Sequence, residues 1–126
     1  MKDCIFCKIA KGEIPCHKIF EDRDFLAFLD AFPFCRGHTL VIPKKHYRWV
    51  WDVPNLEAYF SVVGKVVSHY QRELKDEFVA SIIWGMEIPH AHIQILPRPR
   101  KLFLNWERGK LEEKEGKQIA KELSLK

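Results

Sequence analysis

No apolar run in this chain approaches the ~20 residues needed to span a bilayer. The opening stretch, "MKDCIFCKIAKGEIP", lacks the apolar core of a secretory signal and has charges scattered through it. Membrane-embedded and exported classes are therefore not expected, and a cytoplasmic protein is the default. There is no internal repeat, low-complexity tract or linker, which argues against a solenoid or a multidomain chain. No sign of charge dominates the first 97 residues, which carry 12 basic and 12 acidic side chains. The net charge of +4 arises in residues 98–126, where 9 basic side chains face 5 acidic ones. A solvated amphipathic helix accounts for that excess, although its field would also favour anionic ligands. Aromatic interleaving there is slight (Phe103, Trp106), so nucleic acid is not an expected partner. Cysteine is too sparse, and the chain too long, to need a disulfide framework.

What is present suits one domain over residues 1–126. "KIFEDRDFLAFLD" reads as a hairpin, with strands near 17–21 and 25–30. "HTLVIP" (38–43) is β-branched and stopped by Pro43, so it reads as a strand. From Pro54 to about residue 77, Leu56, Tyr59, Phe60, Val63, Val66, Val67 and Tyr70 recur at helical spacing. "FVASIIW" (78–84) and "HAHIQIL" (90–96) read as strands, and "LEEKEGKQIAKELS" as a weaker helix. One long helix among runs of strands predicts an α+β fold with a largely antiparallel sheet.

The stretch "EIPHAHIQILPR" (87–98) carries the chemistry. In a strand, His90, His92 and Gln94 share one face, each about 7 Å from the next. Ala91, Ile93 and Ile95 take the other face and pack inward. Imidazole serves as nucleophile, proton carrier or metal ligand. A half-exposed strand that merely carries histidine is the plain alternative. Cys4-Ile-Phe-Cys7 has a spacing used by both zinc and redox sites. Cys16 and Cys35 read as buried free thiols.

With "CIFCKIAKGEIP", "FLAFLD", "GHTLVIPKKH" and "GMEIPHAHIQILPR" in this order and spacing, the chain resembles the histidine triad (HIT) superfamily over roughly residues 3–98. The resemblance implies a five-stranded antiparallel sheet with two helices, doubled to ten strands in a homodimer. It also implies cleavage at the α-phosphate of a purine nucleotide or dinucleoside polyphosphate through a covalent nucleotidyl-histidine. The implied nucleophile is His92, with His38 beside it. Asp30 would bond the ribose hydroxyls, and Phe28 and Ile14 would flank the base. Without the resemblance, Phe28 and Ile14 are core residues, Asp30 caps a turn and His38 starts a strand. Members with the N-terminal cysteine pair bind zinc through that pair and two histidines, here Cys4, Cys7, His46 and His90. A metal-free thiol pair or a redox pair are the competing readings.

Two features depart from the family pattern. The Gly-Gln-Ser stretch and the Asn that contact phosphate in many members are missing from "SIIWGMEIPH", which places the acidic Glu87 near the expected phosphate site. A shorter branch of the family has a similar segment. The other departure is Gln94, in place of a third histidine. Glutamine positions and polarises but yields no proton at neutral pH. The expected preference is for leaving groups that need no acid, and for transfer to an ionised phosphate-type acceptor over hydrolysis. His-x-His-x-Gln is also the pattern of the superfamily's transferase branch. The alternatives are a nucleotide hydrolase, a nucleotide-binding regulatory module with little turnover, and a small zinc-binding interaction protein.

Overall fold

The structure, a computed structural model, describes residues 3–99 and 108–125. The expected turn at 97–100 and the aromatics Phe103 and Trp106 lie partly or wholly outside these residues. Five strands form one antiparallel sheet: β1 (Lys18–Glu21), β2 (Phe25–Leu29), β3 (Thr39–Pro43), β4 (Val79–Ile82) and β5 (Ile93–Pro97). Their spatial order is β1-β2-β3-β5-β4. Among the described residues, three α-helices accompany them: α1 (Ile5–Ala10), α2 (Leu56–Leu74) and α3 (Glu113–Leu123).

Strand alternation sorts the sheet into two buried faces. Phe25, Ala27, Leu29, Val41, Ile93 and Ile95 pack against Tyr59, Val62, Val63, Val66 and Tyr70 of α2 and Ile119 and Leu123 of α3. Leu26, Phe28, Leu40 and Ile42 point the other way, onto Cys4, Phe6, Cys7 and Ile9 at α1. The polar atoms in the α2 layer are paired. The Tyr59 hydroxyl donates to the Val41 carbonyl at 2.7 Å, and Tyr70 Oη lies 2.6 Å from Thr39 Oγ1. α2 begins two residues after Pro54 and is capped by Asn55, whose Oδ1 accepts from the Ala58 N–H. It ends at Lys75 in the left-handed conformation.

Three expectations need correction. Ile5–Ala10, for which the sequence suggested no helix, is one, capped by Cys4 Sγ accepting from the Cys7 N–H. β5 begins at Ile93 rather than His90, because the preceding amides bond elsewhere: His90 N–H to Ile88 O, and Ala91 N–H to Tyr47 O. Cys16 and Cys35 are half-buried rather than fully buried, although both are free thiols.

Gly37 fixes the entry to β3. Its φ of +87° is a conformation that glycine adopts without strain, and an added Cβ would lie 3.1 Å from Pro97 and 3.2 Å from Leu123. Gly37→Ala is expected to destabilise the protein by about 1–3 kcal/mol, read as a lowered denaturant midpoint. A midpoint equal to the parent's would mean that this turn tolerates a side chain.

Candidate active site and metal cluster

The face of the sheet turned toward α1 carries the reactive groups. Asp30 and His38 flank the loop end of the β2–β3 hairpin, where Asp30 N–H donates to His38 O at 2.9 Å. Gln94 sits opposite Leu40 across the β3–β5 ladder. Phe28, Asp30, His92, Gln94 and Ile14 line one cavity of about 420 Å³, a volume in the range of small-molecule sites. His38 borders it from behind, through Gln94.

Hydrogen bonds set each proton. The Phe34 N–H donates to His38 Nδ1 at 3.0 Å, so the proton of this neutral imidazole lies on Nε2. That Nε2–H donates to Gln94 Oε1 at 2.9 Å. With its oxygen engaged, Gln94 presents its amide N–H groups as the remaining donors. Burial is the main influence on His38 and lowers its pKa, opposed by the Asp30 carboxylate 3.6 Å away. His38 is therefore neutral at pH 7. His92 Nδ1–H donates to the His90 carbonyl at 2.8 Å, which leaves Nε2 with a lone pair and no proton. The Phe6 ring packs edge-on against both His92 and Phe28, with centroids 5.3 and 5.7 Å away.

Behind this cavity, Cys4, Cys7, His46 and His90 place their ligand atoms within 4.8 Å of one another. Cys4 Sγ lies 3.3 Å from His90 Nδ1, and Cys7 Sγ lies 3.3 Å from His46 Nδ1 and 3.5 Å from His90 Nδ1. Tetrahedral zinc at ordinary Zn–S and Zn–N lengths requires ligand–ligand edges of about 3.3–3.8 Å. His90 Nε2–H donates to the Pro43 carbonyl at 2.8 Å, turning Nδ1 toward the thiols as the unprotonated nitrogen. Burial pushes the His90 pKa down to about 4 despite that carbonyl, so the ring is neutral. Burial also raises the Cys7 thiol, an effect that a bound cation reverses. The donor set therefore fits zinc. The structure brings together all four cysteine and histidine ligands that the resemblance implied. His90 faces them, whereas His92 and Gln94 face the cavity.

Two residues of the cavity had no role in the reading of the sequence. Phe6 packs edge-on against His90 as well as His92, with ring centroids 5.8 and 5.3 Å away. Arg108 reaches in from the basic segment, donating to Phe32 O at 2.7 Å, Asp30 Oδ2 at 3.3 Å and Glu87 Oε1 at 2.8 Å. Glu87 lines the cavity as the sequence suggested, but paired with this guanidinium.

The family model of the HIT domain matches residues 11–101, and the chain belongs to the HIT family. Its adenosine 5'-monophosphoramidase hnt1 relative from Schizosaccharomyces pombe is 34% identical, over 98% of this chain and 97% of that one. Among solved structures, a Hit-like protein of Bartonella henselae, described as involved in cell-cycle regulation, superposes with a TM-score of 0.85. Its identity is 27%, covering 98% of this chain and 95% of that one. A zinc-bound histidine triad protein of Mycobacterium smegmatis matches with a TM-score of 0.72 at 33% identity, over 97% and 94% of the two chains.

Proposed function

We propose that this protein is a nucleotide-binding HIT enzyme that works through a covalent nucleotidyl-histidine at His92. The observation that carries the reading is the tautomer of His92. Its Nδ1–H is held by the His90 carbonyl, leaving a basic Nε2 for attack in a cavity lined by Gln94, Asp30 and Phe28. Nε2 attacks the α-phosphorus, and the bond to the leaving oxygen breaks. The acceptor's oxygen then attacks the same phosphorus and frees Nε2. Gln94, with its carbonyl taken by His38, donates amide N–H to a phosphate oxygen, but an amide moves no proton at neutral pH. An acceptor already ionised, such as inorganic phosphate, therefore completes turnover more readily than water. Asp30 receives the ribose hydroxyls, and Phe28 and Ile14 wall the base. Zinc in the Cys4/Cys7/His46/His90 cluster is structural and ties α1 to the segment before β5. Exposed Phe78 and Trp84 flank the edge strand β4, which supports a homodimer with one continuous ten-stranded sheet.

A hydrolase is the second reading, favoured by the phosphoramidase relative. The two are separated by trapping the enzyme with a nucleotide radiolabelled at the α-phosphate and chasing with water or phosphate. Faster release by phosphate supports transfer; equal release in both removes the argument from Gln94. Absence of acid-labile label would defeat the covalent reading. Gln94→His is expected to accelerate release into water by about 10- to 100-fold, as general acid–base help returns. An unchanged ratio of phosphorolysis to hydrolysis in that variant would show that residue 94 does not set the acceptor.

A further inference from the structure

We propose that Arg108 is a substrate-positioning residue that lets the cavity accept an anion by bridging two carboxylates there and offsetting one of their two charges. This rests on the nucleotide reading of the same cavity. Asp30, assigned to the ribose, and Glu87, near the expected phosphate site, both line the cavity that an anionic nucleotide would enter. Left alone, two carboxylates in one pocket oppose an anionic ligand. Arg108 bridges them, with Nη1 on Asp30 Oδ2 and Nη2 on Glu87 Oε1.

The bridge is built rather than incidental. The Gly109 and Leu111 N–H groups donate to the carbonyls of Pro33 and Ala31 at 2.8 Å each, pinning the chain beside Arg108 to the β2–β3 loop. The guanidinium carbon lies 4.1 Å above the Phe34 ring, which itself stacks on His38. Nη1 donates also to Phe32 O. Glu87 is largely exposed, and an exposed ion pair contributes little to stability. The arrangement is better explained by what it does to the field in the cavity. The hydrogen bonds occupy three of the five guanidinium N–H groups. Arg108 also holds Asp30 Oδ2, the oxygen that the Phe32 N–H does not, and so orients the carboxylate. A nucleotide thus meets a rim with half of its negative charge offset, and an oriented carboxylate.

Calorimetric titration of AMP into the wild type, R108A, E87Q and the double variant R108A/E87Q tests this, with thermal melts to establish folding. R108A is expected to weaken AMP by about tenfold or more. E87Q alone keeps or tightens binding. The double variant recovers at least half of the logarithmic loss, because it no longer holds the uncompensated Glu87 charge. R108K retains more affinity than R108A. In turnover, R108A raises KM with little change in kcat. R108A binding as the wild type does, or a double variant as weak as R108A, overturns the proposal; a merely structural role for Arg108 would not be rescued by E87Q. If the wild type binds no AMP, the nucleotide reading fails instead. The same four proteins are then titrated with pyrophosphate, whose affinities should follow the same order. Affinities independent of these charges would overturn the role of Arg108.

Discussion

His92→Ala is expected to abolish covalent labelling and to lower kcat/KM by about 10³-fold or more, the scale on which loss of a nucleophile is felt. His92 is buried, and its Nδ1–H bond to the His90 carbonyl is one of the few polar ties there. Its removal therefore costs stability as well, on the order of 1–2 kcal/mol. The two losses are distinguishable. A folded, metal-loaded His92→Ala that still binds AMP but yields no nucleotidyl adduct by mass spectrometry has lost the chemistry alone. Gln94→Ala is the informative companion. It removes a donor and the acceptor of the His38 N–H, so turnover should fall, but label should still form. Label surviving in His92→Ala would assign the attack to another residue and end the present reading.

The candidate site was legible in the sequence because its residues lie in short motifs on strands or next to strand ends, where alternation and pairing fix direction. Asp30 follows Leu29 at the end of β2, and His38 precedes Thr39 at the start of β3. Hairpin pairing alone brings them together. Gln94 enters the same face through the β3–β5 register. The cluster of Cys4, Cys7, His46 and His90 joins residues as much as 86 positions apart. No local pattern measures that approach, and only resemblance suggested it. Helix α1 was missed because six residues give too little periodicity, and because its cap is a thiol rather than Ser, Thr, Asp or Asn. Arg108 was missed for a different reason. It stands 78 positions from Asp30 and 21 from Glu87, and its charge was one among nine in a segment read as solvated. The two oddities of the sequence, an acidic residue by the phosphate site and a basic excess after residue 97, answer each other in space.

The metal cluster carries the other large expected effect. One zinc per chain is expected, and Cys4→Ser should lose most of it. A structural zinc in a small peptide contributes about 10–16 kcal/mol of apparent folding energy. Here the sheet and α2 bury a core of their own, so the domain should stay folded with a smaller loss. A loss of about 3 kcal/mol corresponds to a melting temperature lower by roughly 10–15 °C for a chain of this size. Chelation of the wild type should reproduce the shift, and Cys35→Ser, outside the cluster, should not. The consequence reaches the nucleophile through one residue. His90 offers Nδ1 to the metal side, while its carbonyl holds the Nδ1–H of His92. Without the metal, weak thiol contacts replace a coordination bond at His90 Nδ1, and the carbonyl that fixes the His92 tautomer is held less firmly. Cys4→Ser should therefore show slower adduct formation even where the protein is folded, with AMP affinity less affected, because Asp30, Phe28 and Arg108 lie on other elements. Full zinc retention in Cys4→Ser would refute the site. A normal rate of adduct formation in a zinc-free, folded protein would leave the metal a role in stability but none in orienting His92.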